Sequence, residues 1–271
     1  MIAILSDIHA NLEALQAVLE DISKFPTVEA IYCLGDLVGY GPDPIPCVQM
    51  ATQWDVVLVG NHDLAAVDPG NDLDGWGALA ARTSVLGARA QLQQHSLGPE
   101  LSVFLWGLRS EHTSGGNLFV HGSPRHPVHE YVNPEDIYND KKMNAVMSRF
   151  ENLCFCGHTH LPGIFRRNYP APSPAPSKWN WFNNPAPVEP NWDYFTPEDF
   201  DFEFSLTGEQ LLCNVGSVGQ PRDEDPRACY VLFSPDVIEY RRIEYDVERT
   251  VAKLRNEPDG DFFGERLRIG R

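Results

Sequence analysis

The sequence predicts a single layered α/β domain, and three observations support this fold class. Short apolar runs of the kind seen in buried strands alternate with amphipathic helical patterns through residues 1–160. The chain has 271 residues, enough for one domain with a sizeable core. Its hydrophobic content of 42% is ordinary for a globular protein.

The predicted strands are short and bounded by Gly or polar residues, as expected for strands that are buried on both faces. They cover residues 2–5, 30–34, 56–59, 118–120, 153–156, 210–215, 228–233 and 237–243. Helices are predicted over residues 11–23, 74–94 and 134–150, and a charged amphipathic helix over 246–256 begins a helical tail at 246–271.

Each of the first five predicted strands is followed by a motif rich in metal-binding side chains. In an open α/β sheet, the residues just past the carboxyl ends of the strands lie along one crevice. We therefore expect these motifs to converge, with enough ligands for two metal ions. The motifs are Asp7-Ile8-His9, Gly35-Asp36, Gly60-Asn61-His62-Asp63, Val120-His121-Gly122 and Gly157-His158-Thr159-His160.

The side chains in these motifs suit divalent ions of borderline to hard character. Carboxylate, neutral imidazole and amide oxygen favour Mn or Fe, with Zn, Ni and Co as alternatives. No cysteine occurs in the motifs, which argues against a structural zinc site. Two ions close together need a bridging carboxylate to offset their repulsion, and Asp36 is the candidate bridge.

The order DxH, GD, GNHD, H, GHxH resembles that of the calcineurin-like metallophosphoesterases, from Met1 to about Tyr245. The runs at 35–44 and 214–230 resemble the small bacterial and archaeal phosphodiesterase-like branch, which includes diadenosine-tetraphosphatase-related proteins. The resemblance implies a two-sheet β-sandwich flanked by helices. It also implies hydrolysis of a phosphodiester or small phosphomonoester.

Carried over by position, the resemblance implies two metal sites that share Asp36. The nucleophile would be a hydroxide between the ions, so no protein nucleophile is required. The first site would contain Asp7, His9, Asp36 and His160, and the second Asp36, Asn61, His121 and His158.

The resemblance gives His62 a catalytic role rather than a metal-binding one. His62 would donate a proton to the leaving oxygen or stabilise the charge on it, and Asp63 would orient the imidazole. A carboxylate partner raises the pKa of an imidazole, so we expect His62 to hold the proton that it delivers.

Three further residues are candidates for substrate binding. Asn11 could reach the phosphate, but it also stands where the cap of the first helix is expected. Arg222 is either a phosphate ligand or part of a surface ion pair with its acidic neighbours at 223–225. Tyr40 lies in a loop beside Asp36 and could stack on the substrate or shape its pocket. Arg125 and His126 follow His121 and could line the same crevice.

The sequence differs from the protein Ser/Thr phosphatases of the superfamily at two positions that bear on the choice of substrate. Those enzymes carry an Arg before the Gly-Asn-His motif and a second Gly after the later His. Here Val59 stands at the first position, and Ser123 follows Gly122. This pattern disfavours a phosphoprotein substrate.

Composition narrows the partners and the compartment. A net charge of −17 argues against binding of duplex nucleic acid or anionic membranes, and no membrane span or signal peptide is predicted. We expect a small phosphorylated substrate, with nucleotides among the candidates. The sequence is compatible with a homo-oligomer as well as with a monomer. The six cysteines form no CxxC pair, and the apolar runs around Cys33, Cys154, Cys156 and Cys213 predict buried free thiols, which fits a reduced, cytoplasmic setting.

Residues 168–206 form a Pro- and aromatic-rich insertion. Such a segment has too many aromatics for plain disorder, and long loops inside compact domains are usually functional. It is predicted either to cover the crevice as a lid or wall, to meet a partner subunit, or to pack outside its own sheet.

The sequence thus favours a dinuclear-metal phosphoesterase. A dinucleoside-polyphosphate hydrolase, with the aromatic insertion gripping a base, is the second candidate. A non-catalytic metal-binding scaffold is the alternative from another class, and the complete motif set with His62 argues against it.

Overall fold

Two six-stranded mixed sheets, flanked by helices, make up the described part of the protein. The structure, a computed structural model, describes residues 1–68, 70, 73, 79–168 and 191–271. The strands are β1 (Ile2–Leu5), β2 (Ala30–Cys33), β3 (Val56–Val57), β4 (Glu111–Ser114), β5 (Asn117–Val120), β6 (Leu153–Cys156), β7 (Gly163–Arg167), β8 (Trp192–Phe195), β9 (Glu203–Ser205), β10 (Leu211–Asn214), β11 (Ala228–Ser234) and β12 (Val237–Ile243).

The helices pack around the two sheets. The residues that the structure describes include two 3-10 helices, at Pro134–Tyr138 and Pro197–Phe200. The α-helices among the described residues are α1 (Leu12–Ile22), α2 (Pro44–Ala51), α3 (Asn61–Val67), α4 (Leu79–Gln94), α5 (Gly98–Trp106), α6 (Asp140–Met147), α7 (Val247–Leu254) and α8 (Gly260–Ile269).

Each sheet contains three neighbouring strands that run parallel to one another. The first sheet runs β3-β2-β1-β11-β12-β9, with β1, β2 and β3 mutually parallel. The second runs β4-β5-β6-β10-β7-β8, with β5, β6 and β10 mutually parallel. The carboxyl ends of parallel neighbours point the same way, so each sheet presents its polar motifs at one end.

One part of the hydrophobic core lies between the sheets and includes aromatic side chains of both. Tyr32 on β2 meets Phe119 on β5 edge to face, with ring centroids 5.1 Å apart. Phe155 on β6 lies 5.0 Å from Phe233 on β11. Buried aromatic pairs of this kind hold the two layers in register. The predicted two-sheet sandwich flanked by helices is therefore confirmed.

Most predicted elements are present, with one clear error. The helix predicted over 134–150 is wrong, because Asn139 interrupts it with φ −111° and ψ 76°. The Asn139 side chain accepts a hydrogen bond from the Lys142 backbone N–H and so starts α6 afresh. The helix predicted over 74–94 is present from Leu79, and residues 74–78 lie outside the described part of the chain.

The described end of the predicted insertion belongs to the sandwich itself. Strand β8 pairs with β7 at the edge of the second sheet, and β9 pairs with β12 at the edge of the first. Trp192 on β8 is buried and donates its indole N–H to Asp140 at 3.1 Å. Residues 191–206 thus pack onto the sheets. The prediction of a lid for the rest of the insertion, 169–190, concerns residues outside the described part of the chain.

All six cysteines are buried free thiols, which confirms the prediction made for Cys33, Cys154, Cys156 and Cys213. Burial raises the pKa of Cys33, Cys154 and Cys213 above the ordinary range, which keeps these thiols protonated and unreactive. Among the described residues, no helix has the length and apolar character that crossing a membrane requires.

A buried carboxylate ties α1 to the first sheet. Asp21 accepts a hydrogen bond from the Tyr230 hydroxyl at 2.8 Å and from the Arg241 guanidinium at 3.1 Å. Burial by itself would raise the pKa of Asp21, but these partners outweigh it and hold the pKa below its ordinary value.

We expect Asp21→Asn to lower the free energy of unfolding by about 1–3 kcal/mol at pH 7, the usual scale for a charged hydrogen bond. Because the folded-state pKa lies below the unfolded one, this stabilisation is present above the unfolded pKa and is lost as the pH falls through the folded pKa. Urea unfolding of both proteins from pH 7 to pH 3 tests this. The exposed neighbour Glu20, changed to Gln, is the control. A difference that stays constant with pH would contradict the ion-pair role.

Candidate metal centre

The predicted metal ligands come together in the folded chain, at the end of the sandwich where both sheets present their parallel strands. The expectation of a single crevice along one open sheet needs correction, because β1, β2 and β3 belong to one sheet and β5 and β6 to the other. The clusters with ligand spacing are Asp7, His9 and His160; His9, Asp36 and His62; and Asp36, His121 and His158.

The first predicted site is assembled from the loops after β1 and β6. His9 Nε2 lies 3.1 Å from His160 Nε2 and 3.7 Å from Asp7 Oδ1. His160 Nε2 lies 3.2 Å from the same Asp7 oxygen. All three side chains are buried, so their polar atoms face one another rather than solvent.

The second predicted site joins β5 and β6 to the start of α3. His121 Nε2 lies 3.1 Å from His158 Nδ1 and 3.2 Å from the amide oxygen Oδ1 of Asn61. The structure thus brings together an amide oxygen and two imidazoles, as the sequence predicted for this site.

Asp36 lies between the two groups and faces both with the same atom. Its Oδ2 is 3.6 Å from His9 Nε2 and 3.4 Å from His121 Nε2. Its other oxygen, Oδ1, accepts the backbone N–H of His62 at 2.8 Å. The carboxylate is therefore fixed by the main chain on one side and presents one oxygen to both sites.

Hydrogen bonds to carbonyl oxygens determine which ring nitrogen each histidine offers. His9 Nδ1 lies 3.1 Å from Val38 O, and His160 Nδ1 lies 2.5 Å from Gln220 O. A carbonyl only accepts, so both Nδ1 atoms carry the proton and both Nε2 atoms carry a lone pair. His158 is held the other way round, with Nε2 3.3 Å from His129 O and Nδ1 towards the cluster.

This arrangement fits a bound cation. Lone pairs on His9 Nε2 and His160 Nε2 repel each other at 3.1 Å, and a cation between them turns that contact into attraction. Nitrogen ligands about 2.0–2.1 Å from one ion stand about 3.0–3.4 Å apart at ordinary coordination angles. The observed spacings have this scale, and the carbonyl-bound second nitrogens are the supporting contacts typical of metal-binding histidines.

The electrostatics keep most of these groups in the form that binds metal. Burial lowers the pKa of His158 to about 3 and of His160 to about 4, so both are neutral near pH 7. Burial would raise the pKa of Asp7 and Asp36, but the surrounding histidines hold both carboxylates well below their usual range. His121 differs, since Asp36 outweighs burial and raises its pKa to about 9.

The motif glycines are required because backbone segments approach closely at the site. A Cβ on Gly60 would lie 2.0 Å from Asp36 Oδ1, and one on Gly157 would lie 2.4 Å from Asp7 Oδ2. The space saved lets the backbone N–H of His158 bind Asp7 Oδ2 at 2.9 Å. Each aspartate thus has one oxygen held by an N–H group and the other directed at the cluster.

Backbone strain is concentrated in the ligand loops. The left-handed region is uncommon for residues other than Gly, although Asn, Asp and His adopt it more readily than the rest, and strain of this kind persists only where the surroundings over-determine it. The predicted ligands with φ between 49° and 68° are Asp7, His9, Asp36, His158 and His160.

His62 lies beside both sites, but its electrostatics differ from the prediction. One ring nitrogen is within 4.8 Å of ligand atoms of His9 and Asp36, a distance that also suits a metal ligand. The expected raised pKa is wrong: burial lowers the pKa of His62 well below its ordinary value, and Asp36 rather than Asp63 partly offsets this effect. Its role as a proton donor stays a prediction.

Asp63 holds the backbone around the site. Its Oδ1 accepts the N–H groups of Leu37 and Val38 at 2.8 and 3.1 Å, and its Oδ2 accepts that of Gly60 at 3.1 Å. These bonds cap α3 and fix the loop that follows Asp36. Any effect of Asp63 on catalysis would pass through that loop.

Tyr40 and Arg222 extend the site on one side. The Tyr40 ring lies 4.5 Å from the rings of both His9 and His62, and the Arg222 guanidinium carbon lies 5.5 Å above Tyr40. The alternative of a surface ion pair for Arg222 does not hold, because its acidic neighbours have other partners. These pairs are Asp223 with Arg242, Glu224 with Arg271 and Asp225 with Arg227.

Asn11 is committed to structure rather than to substrate. Its Oδ1 accepts from the Ala14 backbone N–H and the Thr250 hydroxyl, while its Nδ2 donates to Gly219 O and the Tyr245 hydroxyl. Asn11 is also buried, so the helix-cap interpretation is confirmed and no hydrogen-bonding capacity is left for a phosphate.

The loop after β5 gives a mixed result. Arg125 pairs with Glu130, and His126 is exposed, so neither prediction of a crevice-lining role gains support. Tyr131, which the sequence did not single out, stacks on His158 with ring centroids 3.7 Å apart. No local pattern marks this tyrosine, because only the fold of the loop brings it to the ligand.

Known proteins share the fold and much of the sequence of this chain. An uncharacterized protein of Methanocaldococcus jannaschii is 33% identical over 276 residues, spanning 100% of this chain and 98% of that protein. A metallophosphoesterase from Sphaerobacter thermophilus has a similar crystal structure, with TM-score 0.77 and 34% identity over 100% of this chain and 99% of that one.

The protein is also similar, over a shorter stretch, to a symmetrical bis(5′-nucleosyl)-tetraphosphatase of Baumannia cicadellinicola. The two are 32% identical over 63 residues, which cover 22% of each chain. The sequence pattern of the calcineurin-like phosphoesterase family matches residues 1–252 of this chain. With this match and the clustered Asp, His and Asn side chains together, the chain belongs to the calcineurin-like phosphoesterase family.

Proposed function

We propose that the protein is a phosphoesterase that uses two divalent metal ions, Mn or Fe foremost, to hydrolyse a phosphodiester or a small phosphomonoester. The observation that carries this proposal is the position of Asp36. One of its oxygens lies within 3.6 Å of a ligand nitrogen from each predicted site, as a bridge between two ions requires. A lone mononuclear site would need no such shared atom.

Two ions bound here would polarise the phosphoryl oxygens and make a hydroxide nucleophile available near neutral pH. The chain's own residues orient the ligands through the contacts to Val38, Gln220 and His129. His62, in reach of both sites, would donate a proton or hydrogen bond to the leaving oxygen. Tyr40 would shape the pocket beside it.

A dinucleoside-polyphosphate hydrolase is the second candidate function. The short match to a symmetrical bis(5′-nucleosyl)-tetraphosphatase supports it, together with the aromatic ring of Tyr131 beside His158. Tyr131 is 46% exposed, so its outer part is available for stacking with a nucleobase.

Turnover of a substrate panel by the Mn²⁺-loaded protein tests the proposal. The panel contains bis-p-nitrophenyl phosphate, p-nitrophenyl phosphate, 2′,3′-cyclic nucleotides and diadenosine tetraphosphate. We expect hydrolysis of the diesters. A strong preference for diadenosine tetraphosphate would favour the second candidate, and inertness towards every member with metals bound would favour a scaffold.

Asp36→Asn should remove at least one bound ion and reduce turnover by roughly 100-fold or more. A neutral amide is a poor bridge between two ions. Even the loss of a residue that only hydrogen-bonds to a metal ligand typically lowers metal affinity or activity by roughly 10–100-fold. Metal content by mass spectrometry and kcat are the measurements. The exposed Asp55, which accepts the N–H of Ile31 at 2.9 Å, provides Asp55→Asn as a matched control. An Asp36 variant with two ions retained would contradict the bridging assignment.

His62→Ala should keep both ions and lower kcat by roughly 10²–10⁴, the scale of one acid–base group. The same two measurements apply, with the exposed His95→Ala as control. Unchanged turnover would reject the catalytic role. Loss of an ion would instead make His62 a metal ligand.

A further inference from the structure

The loop between β10 and β11 crosses from the second sheet to the first at the end of the sandwich that carries the predicted metal ligands. Strand β10 runs parallel to β6, so Asn214, the last residue of β10, lies beside Cys156, the last residue of β6. The loop therefore starts next to the ligand loop after β6 and ends in the sheet that supplies Asp7 and Asp36.

A strained turn after β6 carries two of the predicted ligands. The backbone N–H of Thr159 donates to Gly157 O at 2.8 Å, which closes a three-residue turn around His158. His158 has φ 68°, and a turn with this hydrogen bond and a left-handed central residue is the rare, strained form. His158 belongs to the second predicted site and His160 to the first. The geometry of this turn therefore bears on both sites at once.

Asn214 holds this turn closed. Its Nδ2 donates to Gly157 O at 2.7 Å and to Thr159 Oγ1 at 2.8 Å, and its Oδ1 accepts the N–H of Gly216 at 2.9 Å. A carbonyl only accepts and a backbone N–H only donates, so these partners determine the orientation of the amide. Asn214 is buried. Strained backbone persists only where its surroundings over-determine it, and the Asn214 amide supplies such contacts on both sides of His158.

Ser217 ties the ligand loop after β1 to the loop between β10 and β11. Its buried hydroxyl donates to Asp7 O at 2.8 Å and accepts the N–H of Gln220, also at 2.8 Å. The N–H of Gly219 adds a second hydrogen bond to Asp7 O at 2.9 Å. The carbonyl of Gln220 in turn accepts from Nδ1 of His160. These contacts connect Asp7 beside the first sheet to His160 beside the second, and both are predicted ligands of the first site.

We propose that Asn214 and Ser217 are positioning residues of the metal centre, Asn214 for both predicted sites and Ser217 for the first site alone. Both act through the main chain. Asn214 fixes the turn that directs the two histidines, and Ser217 fixes the backbone at Asp7. The inference rests on the proposed two-metal function and identifies residues that hold its ligands in place. Loss of a hydrogen bond behind a metal ligand typically lowers metal affinity by roughly 10–100-fold.

Calorimetric titration of the metal-free protein with Mn²⁺ tests the assignment, because two ions give two binding steps. Asn214→Ala should weaken both steps by roughly 10–100-fold. Ser217→Ala should weaken one step by about tenfold and change the other by less than about threefold. Wild-type affinity at both steps in Asn214→Ala would overturn the proposal, as would equal weakening of both steps in Ser217→Ala.

A control variant separates positioning from general destabilisation. Tyr230→Phe also removes a buried hydrogen bond, the one from the Tyr230 hydroxyl to Asp21 between the first sheet and α1. Urea unfolding of the metal-free proteins should show reduced stability in all three variants, but only the two loop variants should lose metal affinity. Weaker Mn²⁺ binding of the same size in Tyr230→Phe would overturn the proposal in favour of a purely structural role.

Substitutions of Thr159 test the same contact with a smaller change in the core, and they decide the matter if Asn214→Ala does not fold. Valine resembles threonine in shape but has no hydroxyl to accept from Asn214, whereas serine keeps the hydroxyl. Thr159→Val should weaken both binding steps, and Thr159→Ser should restore most of the affinity. Equal affinities of these two variants would contradict the positioning role.

NMR of the histidine ring nitrogens in the metal-free protein distinguishes this proposal from the proposed function. Nε2 of His158 and Nδ1 of His160 lie within hydrogen-bonding distance of carbonyl oxygens, so each ring is held in one tautomer. We expect Asn214→Ala to mix the tautomers of both rings at neutral pH. A wild-type protein that binds no ions, with this change present in the variant, would refute the two-metal function and keep the positioning role. A protein that binds two ions and hydrolyses diesters, with unchanged spectra and affinities in the variants, would keep the function and refute the positioning role.

Discussion

The buried carboxylate of Asp36 is the constraint on which the site depends. A buried charge is costly unless it is paired, and Asp36 is surrounded by an N–H group and by histidines from both sheets. The first sheet supplies Asp36 and His9, and the second supplies His121. The relative position of the two sheets therefore sets the spacing of the ligands, and the aromatic core between them fixes that position.

The convergence of these side chains requires strained backbone conformations in the loops that carry them. Asp7, His9 and Asp36 have left-handed backbone conformations, which are uncommon outside Gly even though Asp and His adopt them more readily than most residues. Three features compensate: the close approach that Gly60 allows, the N–H bonds to the aspartates, and the brace provided by Asp63. Rigid ligand loops of this kind hold metal-binding atoms near their working positions before any ion is bound.

The strand ends and the candidate ligands at them could be predicted because both depend on short-range pattern. An apolar run followed by Asp, Asn or His marks a buried strand and its polar end. What depends on tertiary approach was not predictable. Asn139 breaks a helix whose apolar spacing looked continuous, Tyr131 reaches His158 only through its loop, and Asp63 contacts the backbone instead of the imidazole next to it.

The overall charge of the chain makes the local cations important for recognition. At −17, the protein repels an anionic substrate at long range, so attraction has to come from groups within the pocket. Screening limits the repulsion to about 8–10 Å at ordinary ionic strength, whereas partly buried charges in direct contact are screened far less. The rings of His9 and His62 lie 4.5 Å from the ring of Tyr40, and the guanidinium of Arg222 lies 5.5 Å from it. Metal ions held by the clustered Asp and His side chains would therefore attract an anionic substrate at short range, with the charge of Arg222 close beside them.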